Sequence, residues 1–528
     1  MTTRALPCLL LVAITAAAYI NADHEQFLFD SAQADLLAKP AAAGLQTFRE
    51  FWRQPLKPGQ HLATLSFALN DAVNRALGMD GLDVTGFLAF NVLVHAVNAC
   101  LVYLLIRALL RQLEPARPPP VWMPAGLALL FAVHPLAASS VAYIIQRRGS
   151  MATLFCLLGL LAWLRARRLL AGSCGTGVPP VRCSDGRARP GWFRPAVLIL
   201  ATLLCYWLAC RSKETGLTLP IIVALIEFCF RAAGWSRRRF AAWTFGGLVL
   251  YPAAMLVGLW AIGRFNPADA TRLSAFREPL NWGVGSHFLS MSRAVAHFWK
   301  LLLLPLPRWC SIDHDFAMSF TLLQHGAVFA LALHVALIGL ALLAARRGLV
   351  LIAFGLLWFY AVQVPYMVLP QWEVFVEYKS YMPSVGFVLV LAGLLQVLRE
   401  RVSPRIQIGA LVVAAVLLLT TTIRRNAIYQ SEHNLWADAV AKAPNSFRPL
   451  LVFGTVLTKE GRPLEAIPYL TTAWKLAQTD TTATARWKQF YALTNLADAL
   501  LRTGRGREAL PKFQAAADLD PANPSAWY

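Results

Sequence analysis

The sequence predicts an all-α protein: a polytopic membrane domain of about eleven transmembrane helices followed by a C-terminal repeat α-solenoid. Three observations carry that prediction. Of 528 residues, 57% are hydrophobic and 15% charged, and a mean hydropathy of +0.51 excludes a soluble globular or a disordered chain. The arginines cluster in short intervals between apolar runs, and after Thr422 the hydrophobicity falls and a 34-residue period begins.

In chain order, apolar runs long enough to cross a roughly 30 Å hydrocarbon core fall near 5–20, 84–106, 119–134, 150–164, 194–210, 215–230, 240–263, 326–345, 349–368, 381–398 and 406–423. The first resembles a signal peptide, with Arg4 ahead of the run and Ala16-Ala17-Ala18 as small residues behind it. Because so many spans follow, it reads as an uncleaved first helix. Arg107, Arg111 and Arg117, then Arg165, Arg167 and Arg168, the Arg-rich loop up to Arg194, and Arg231 with Arg237 to Arg239 all fall on one side, the cytoplasmic one. The segment 286–306 is apolar too, but counting it as a span would turn Arg346, Arg347, Arg399 and Arg401 outward. Its Ser290, Arg293, His297 and Lys300 recur at helical spacing, so it is expected to be an interfacial or re-entrant helix. The N-terminus is then cytoplasmic and the C-terminus outside.

The net charge of +21 would point to nucleic acid in a soluble chain. Here the basic residues flank membrane spans, where they set topology and meet anionic headgroups, so no nucleic-acid partner is expected. The cysteines are scattered singly, mostly within apolar runs, and show no metal-ligand spacing; Cys174 and Cys183 flank a loop assigned to the cytoplasm, where a disulfide is not expected.

The chain divides into a membrane domain, 1–423, and a repeat domain, 424–528. Phe453, Gly454, Leu457, Ala466, Leu470 and Ala473 occupy the small and large core positions of a tetratricopeptide unit. Leu496, Ala497, Leu500, Ala509, Phe513, Ala516 and Pro521 occupy them again, with about nine extra residues around 480–487. Trp436, Ala439 and Pro444 mark a degenerate half-unit before them, and Trp527 opens a further one without a capping helix.

Function is sought where charge meets the outer membrane boundary, since charges there are costly and basic residues are depleted on that side. Four groups qualify: Asp30 in the long loop 21–83, Gln146-Arg147-Arg148, Arg211-Ser212-Lys213-Glu214, and Glu377-Tyr378-Lys379 before Tyr381. Cations at headgroup depth can hold a lipid phosphate while a carboxylate takes a proton from an acceptor hydroxyl. The same residues can also serve as snorkelling and topology groups that pair with one another. Asn91 and His95 share a helical face and read as interhelical packing groups. Asp313, His314 and Asp315 could face the same site or bind a divalent ion, but the carboxylate spacing for a metal is missing, and no metal or other cofactor is expected.

Several stretches in order resemble the transmembrane and tetratricopeptide repeat-containing (TMTC) protein O-mannosyltransferases and their bacterial relatives, with a GT-C glycosyltransferase fold. They are Phe27 to Asp30, Leu65 to Asn70, Asn91 to His95, Phe131 to Pro135, Val141 to Arg147, Ser212-Lys213-Glu214, Glu377 to Gly386, and Arg425-Asn426. The resemblance covers nearly the whole chain. It implies inverting transfer of a sugar, typically mannose, from a polyprenyl-phosphate carrier to a protein or glycan hydroxyl. Asp30 matches the first acid of the family's pair at the acceptor, and the repeats would recruit the acceptor protein. With outer-facing repeats, this places the chain in a bacterial inner membrane with its repeats in the periplasm. The chain departs from the pattern at Ser31, where a second acid is expected, at Gln60-His61 in place of Arg-Pro, and at Ser139 in place of Glu. Asp35 or Asp23 could substitute only if the loop folds differently. A catalytically degenerate membrane scaffold whose repeats dock partners is therefore the alternative. The paired broken spans of a transporter are not visible.

Overall fold

The computed structural model describes residues 2–23, 61–117, 119–174, 193–261, 284–368, 373–480, 484–521 and 523. Asp30, Ser31, Asp35, Gln60, Cys183 and Trp527, all singled out above, lie outside the described residues.

The described residues are helical throughout, with no strand among them. The bundle comprises α1 (Thr2–Ala18), α2 (His61–Ala76), α3 (Val84–Leu113), α4 (Trp122–Ala132), the short α5 (Ala138–Val141), α6 (Arg147–Cys174), α7 (Phe193–Ser212), α8 (Leu219–Arg231), α9 (Arg237–Ala261), α10 (Val284–Leu303), α11 (Ala327–Arg346), α12 (Val350–Val368), α13 (Tyr381–Leu398) and α14 (Pro404–Ile428). Eight helices are long and apolar enough to cross a membrane, or nine if the pair Trp122–Ala132 and Pro135–Val141, bent by 47°, is one broken span. These eight coincide with eight of the eleven expected spans. Of the other three, the first forms the shorter apolar helix Ala5–Ala18, the third is the bent pair, and 240–263 forms α9.

His134-Pro135 produces the bend. Proline cannot donate to the preceding turn and pushes His134 into an extended conformation, and the His134 side chain then caps the new start by accepting from the Leu136 amide. α12 and α13 pack by bare backbone: a Cβ on Gly386 would lie 2.6 Å from the Gly355 carbonyl oxygen, and one on Gly355 would lie 2.5 Å from that of Gly386. In lipid, where apolar side chains gain nothing from leaving one apolar solvent for another, such close approach is a main source of helix association.

Side-chain contacts sort the helix ends into two groups. At one end Arg399 pairs with Glu114 at 2.7 Å and Arg167 with Glu227 at 2.8 Å, while Arg346 donates to the Trp235 carbonyl. These are the arginines the topology reading placed together. At the opposite end Asn21 donates to the Ile423 carbonyl, Asn426 to that of Ala18, and Thr422 to that of Val133. α10 touches this second end with both of its own ends, through His287 with the Tyr366 carbonyl and Leu302 with His134.

After α14 come α15 (Glu432–Lys442), α16 (Phe447–Lys459), α17 (Pro463–Thr479), α18 (Ala485–Arg502) and α19 (Gly506–Leu519), consecutive helices around their own apolar core. The positions marked by the 34-residue period are the buried ones: Phe453, Gly454, Leu457, Ala466, Leu470 and Ala473 in α16 and α17, then Leu496, Ala497, Leu500, Ala509 and Ala516 in α18 and α19, with Phe513 partly buried. Gly454 is required where it stands, because a Cβ there would meet Leu470 Cγ at 2.5 Å.

Candidate functional site

The second end of the bundle gathers most of the charged residues singled out from the sequence, but it divides them among three settings.

Arg147 is taken up by the fold. Fully buried at the start of α6, it donates to Asn91 Oδ1 at 2.6 Å, Asn70 Oδ1 at 2.8 Å, and the carbonyls of Phe87 and Ser66, with the rings of Phe67 and Phe90 over its guanidinium. It clamps α2 and α3 to α6 through neutral oxygens. Asn91 also donates to the carbonyls of Val141 and Ile144, as its packing assignment expects. Gln146 is buried beside it, and its Oε1 has no hydrogen-bond partner among the described residues. Tyr381 lies deeper, its hydroxyl 2.7 Å from His95 Nδ1 and accepting from Asn98 at 3.1 Å. Ser139, where the resemblance expects an acid, is buried and donates to the Leu136 carbonyl.

A second setting joins Arg148, Lys213, Glu214 and Lys379 with two residues that sequence reasoning did not connect to them, Tyr366 and Glu373. Lys213 follows α7, in a turn that Gly216 allows by packing on the Ala209 backbone, where a Cβ would come within 2.2 Å. Lys379 sits in the 3-10 turn Glu377–Ser380 ahead of α13. The ammonium groups stand over one ring: Lys213 Nζ is 5.8 Å and Lys379 Nζ 5.3 Å from the Tyr366 centroid, and Lys213 is also 4.9 Å from that of Tyr378. Both lysines are nearly buried, at 8% and 3% exposure. Lys379 feels the charges of Glu373, Lys213 and Glu214, and Tyr378 those of Glu373, Arg148 and Glu214. Lys379 donates to the Glu373 carbonyl, and the Tyr378 hydroxyl to Glu373 Oε2 at 3.4 Å. Three cations thus meet two carboxylates where water is scarce. An arriving anion would relieve the repulsion between the two ammonium groups and gain charge-assisted hydrogen bonds.

Glu377 belongs to the third setting. Its Oε1 accepts the Ser311 amide at 2.7 Å and lies 3.3 Å from His314 Nε2, while Oε2 pairs with Arg425 at 3.2 Å. Arg425 also reaches Asp438 at 3.3 Å and the Cys310 carbonyl at 3.2 Å, and Lys442 holds the same two groups. Arg448 bridges Asp313, at 3.3 Å, and Glu373. The segment 310–315, the turn before α13 and the first C-terminal helices are therefore sewn together by charge. Among the described residues no group of three His, Cys, Asp or Glu is placed to hold a metal ion, and Asp313 and His314 face Arg448 and Glu377.

Burial pushes the Asp313 carboxyl up from 3.8 to about 6, against the opposing pull of Arg448. Between those values the folded chain keeps a proton that the unfolded chain has lost. Asp313 therefore supports the fold fully below about pH 4, and that support is lost as pH rises through about 6. Asp313→Asn is expected to melt higher than the unaltered protein near about pH 7.5 and equally near about pH 4. Thermal melts in detergent at both values check this, and a lower melting point at the higher pH would show that the Arg448 pair outweighs the desolvation.

No family model matches the chain, and no solved structure matches it. It is similar to curated relatives over part of its length. It is 29% identical over 232 residues to Protein O-mannosyl-transferase Tmtc2 of Drosophila melanogaster, covering 42% of this chain and 21% of that one. It is 30% identical over 227 residues to Protein O-mannosyl-transferase TMTC2 of Mus musculus, covering 41% and 23%. With Protein O-mannosyl-transferase Tmtc1 of Drosophila melanogaster it shares 29% over 228 residues, 41% and 22%. The chain thus matches about a fifth of the length of these relatives, and the similarity supports a distant TMTC-like relationship.

Proposed function

We propose that this chain is a membrane glycosyltransferase that moves a sugar, mannose or a similar hexose, from a polyprenyl-phosphate carrier to a protein or glycan hydroxyl, with inversion. The observation that carries this reading is the convergence of Arg148, Lys213 and Lys379 around Tyr366 and Tyr378 at one end of an apolar bundle. Similarity to enzymes named protein O-mannosyl-transferases supports it. In the proposed step the acceptor oxygen attacks the anomeric carbon and the bond from that carbon to the phosphate oxygen breaks. The hydroxyl proton passes to the carboxylate of Asp30, and polyprenyl phosphate leaves carrying the added negative charge. Lysine ammonium groups fixed at that oxygen favour the charge that develops there. The GT-C fold, an interfacial role for α10, a bacterial inner membrane with this end facing the periplasm, and a tetratricopeptide array in α15 to α19 that recruits the acceptor complete the reading. No metal has a part in it.

Ser31, Gln60 and Ser139 favour a second reading, a degenerate scaffold whose C-terminal helices dock partners. The purified protein, reconstituted with polyprenyl-phosphate mannose and periplasmic proteins, separates the two. Transfer that disappears in Asp30→Asn, at unchanged protein yield, is the expected result. Full activity in that variant would remove Asp30 from the mechanism, and neither lipid binding nor transfer by the unaltered protein would leave the scaffold.

A further inference from the structure

Glu373 stands between two cations from different parts of the molecule. Arg448, in the first turn of α16, reaches out of the C-terminal helices to pair with its Oε1 and with Asp313. Lys379, in the cation cluster, already donates to the main-chain oxygen of Glu373, and its ammonium lies within range of the Glu373 carboxylate charge. Glu373 and Arg448 are each about one-third exposed, at 33% and 35%, so this carboxylate has room to turn. A guanidinium takes a carboxylate through a planar fork that an ammonium lacks, so while α16 is docked Arg448 is the stronger claimant. If Arg448 withdraws, the nearest cation open to the carboxylate is the ammonium of Lys379. That pairing would cancel much of the positive charge the cluster offers to an anion.

We propose that docking of the C-terminal helices through Arg448 holds the Glu373 carboxylate away from Lys379 and so keeps the Arg148, Lys213 and Lys379 cluster able to bind a lipid phosphate. Glu373 and Arg448 are positioning residues in this scheme and do not touch the ligand. The inference rests on reading the cluster as an anion site. Its consequence is a coupling between the two parts of the chain: whatever levers α16 away from the bundle weakens phosphate binding, and phosphate binding in turn favours the docked array, because linkage is reciprocal.

The test measures farnesyl phosphate binding to the purified full chain in detergent, by calorimetry, for the unaltered protein, Arg448→Ala, Arg448→Lys, Glu373→Gln and the double variant. Arg448→Ala is expected to weaken binding about tenfold or more, with Arg448→Lys between it and the unaltered protein. Glu373→Gln is expected to bind at least as tightly as the unaltered protein. The double variant should recover to within about threefold of Glu373→Gln, because no carboxylate remains to compete with the ligand. Unchanged affinity in Arg448→Ala overturns the coupling. So does a double variant as weak as Arg448→Ala, since Arg448 would then act only as structural support. A folded, unaltered protein that binds no farnesyl phosphate overturns the reading of the cluster itself, an outcome distinct from the other two.

Discussion

Replacing Arg425 by alanine is expected to leave almost no folded protein. The variant strands Glu377, whose side chain is 1% exposed and whose Oε2 has Arg425 as its cation at 3.2 Å. Removing one member of a buried ion pair costs about 3–5 kcal/mol, because the remaining charge is neither solvated nor paired. That is a large share of the stability of an ordinary domain. Asp438 and the Cys310 carbonyl lose a donor in the same change, although Lys442 continues to hold both. Fluorescence-detected size-exclusion chromatography and a detergent melt measure the outcome. The paired change Glu377→Gln with Arg425→Met should restore most of the lost protein, since no stranded charge remains. An Arg425→Ala variant that elutes as a sharp peak and melts within a few degrees of the unaltered protein would show that the network is dispensable.

The second large effect separates chemistry from folding. Lys213→Ala and Lys379→Ala are each expected to lower sugar transfer by about a hundredfold to a thousandfold, the usual loss when one preorganised charge donor is removed from a site of developing negative charge. Neither should lower the melting temperature much, because each removes one of two nearly buried ammonium groups that crowd the Tyr366 ring and relieves their repulsion. Falling activity at steady or rising stability is the signature of a binding site as opposed to a structural pair. Transfer within about threefold of the unaltered rate in both variants would remove the lysines from the donor phosphate and return them to a topological role.

Arg147 and Arg148 show how far the site was legible beforehand. Both were candidates because they sit together at a membrane boundary, and nothing in their spacing distinguishes them. Successive residues on a helix project about 100° apart, so one side chain enters the α2–α3 contact while its neighbour turns to the cluster. Glu377 and Lys379 likewise part within one 3-10 turn, the first toward Arg425 and the second toward Tyr366. Tyr366 and Glu373 carried no signal: one closes an apolar helix and the other is an isolated acid in a connection. Arg425 was quoted only as the link into the repeats, and its pairing with Glu377 spans 48 residues. Asp30, on which the acceptor chemistry turns, was marked by sequence as the first acid past the first apolar segment and lies outside the described residues.

By itself the sequence determined the helical class, eight of the apolar helices, the common end of the flanking arginines, and the buried positions of the C-terminal hairpins. Each of these follows from local statistics, since run length, charge bias and period are summed along the chain and need no knowledge of what packs against what. Tertiary structure decided which charges became part of the fold and which were left for an anion. A charged side chain near a bundle is stable only beside a partner, and the partner is supplied by helices distant in sequence that converge through bends such as His134-Pro135 and close contacts such as Gly355 on Gly386.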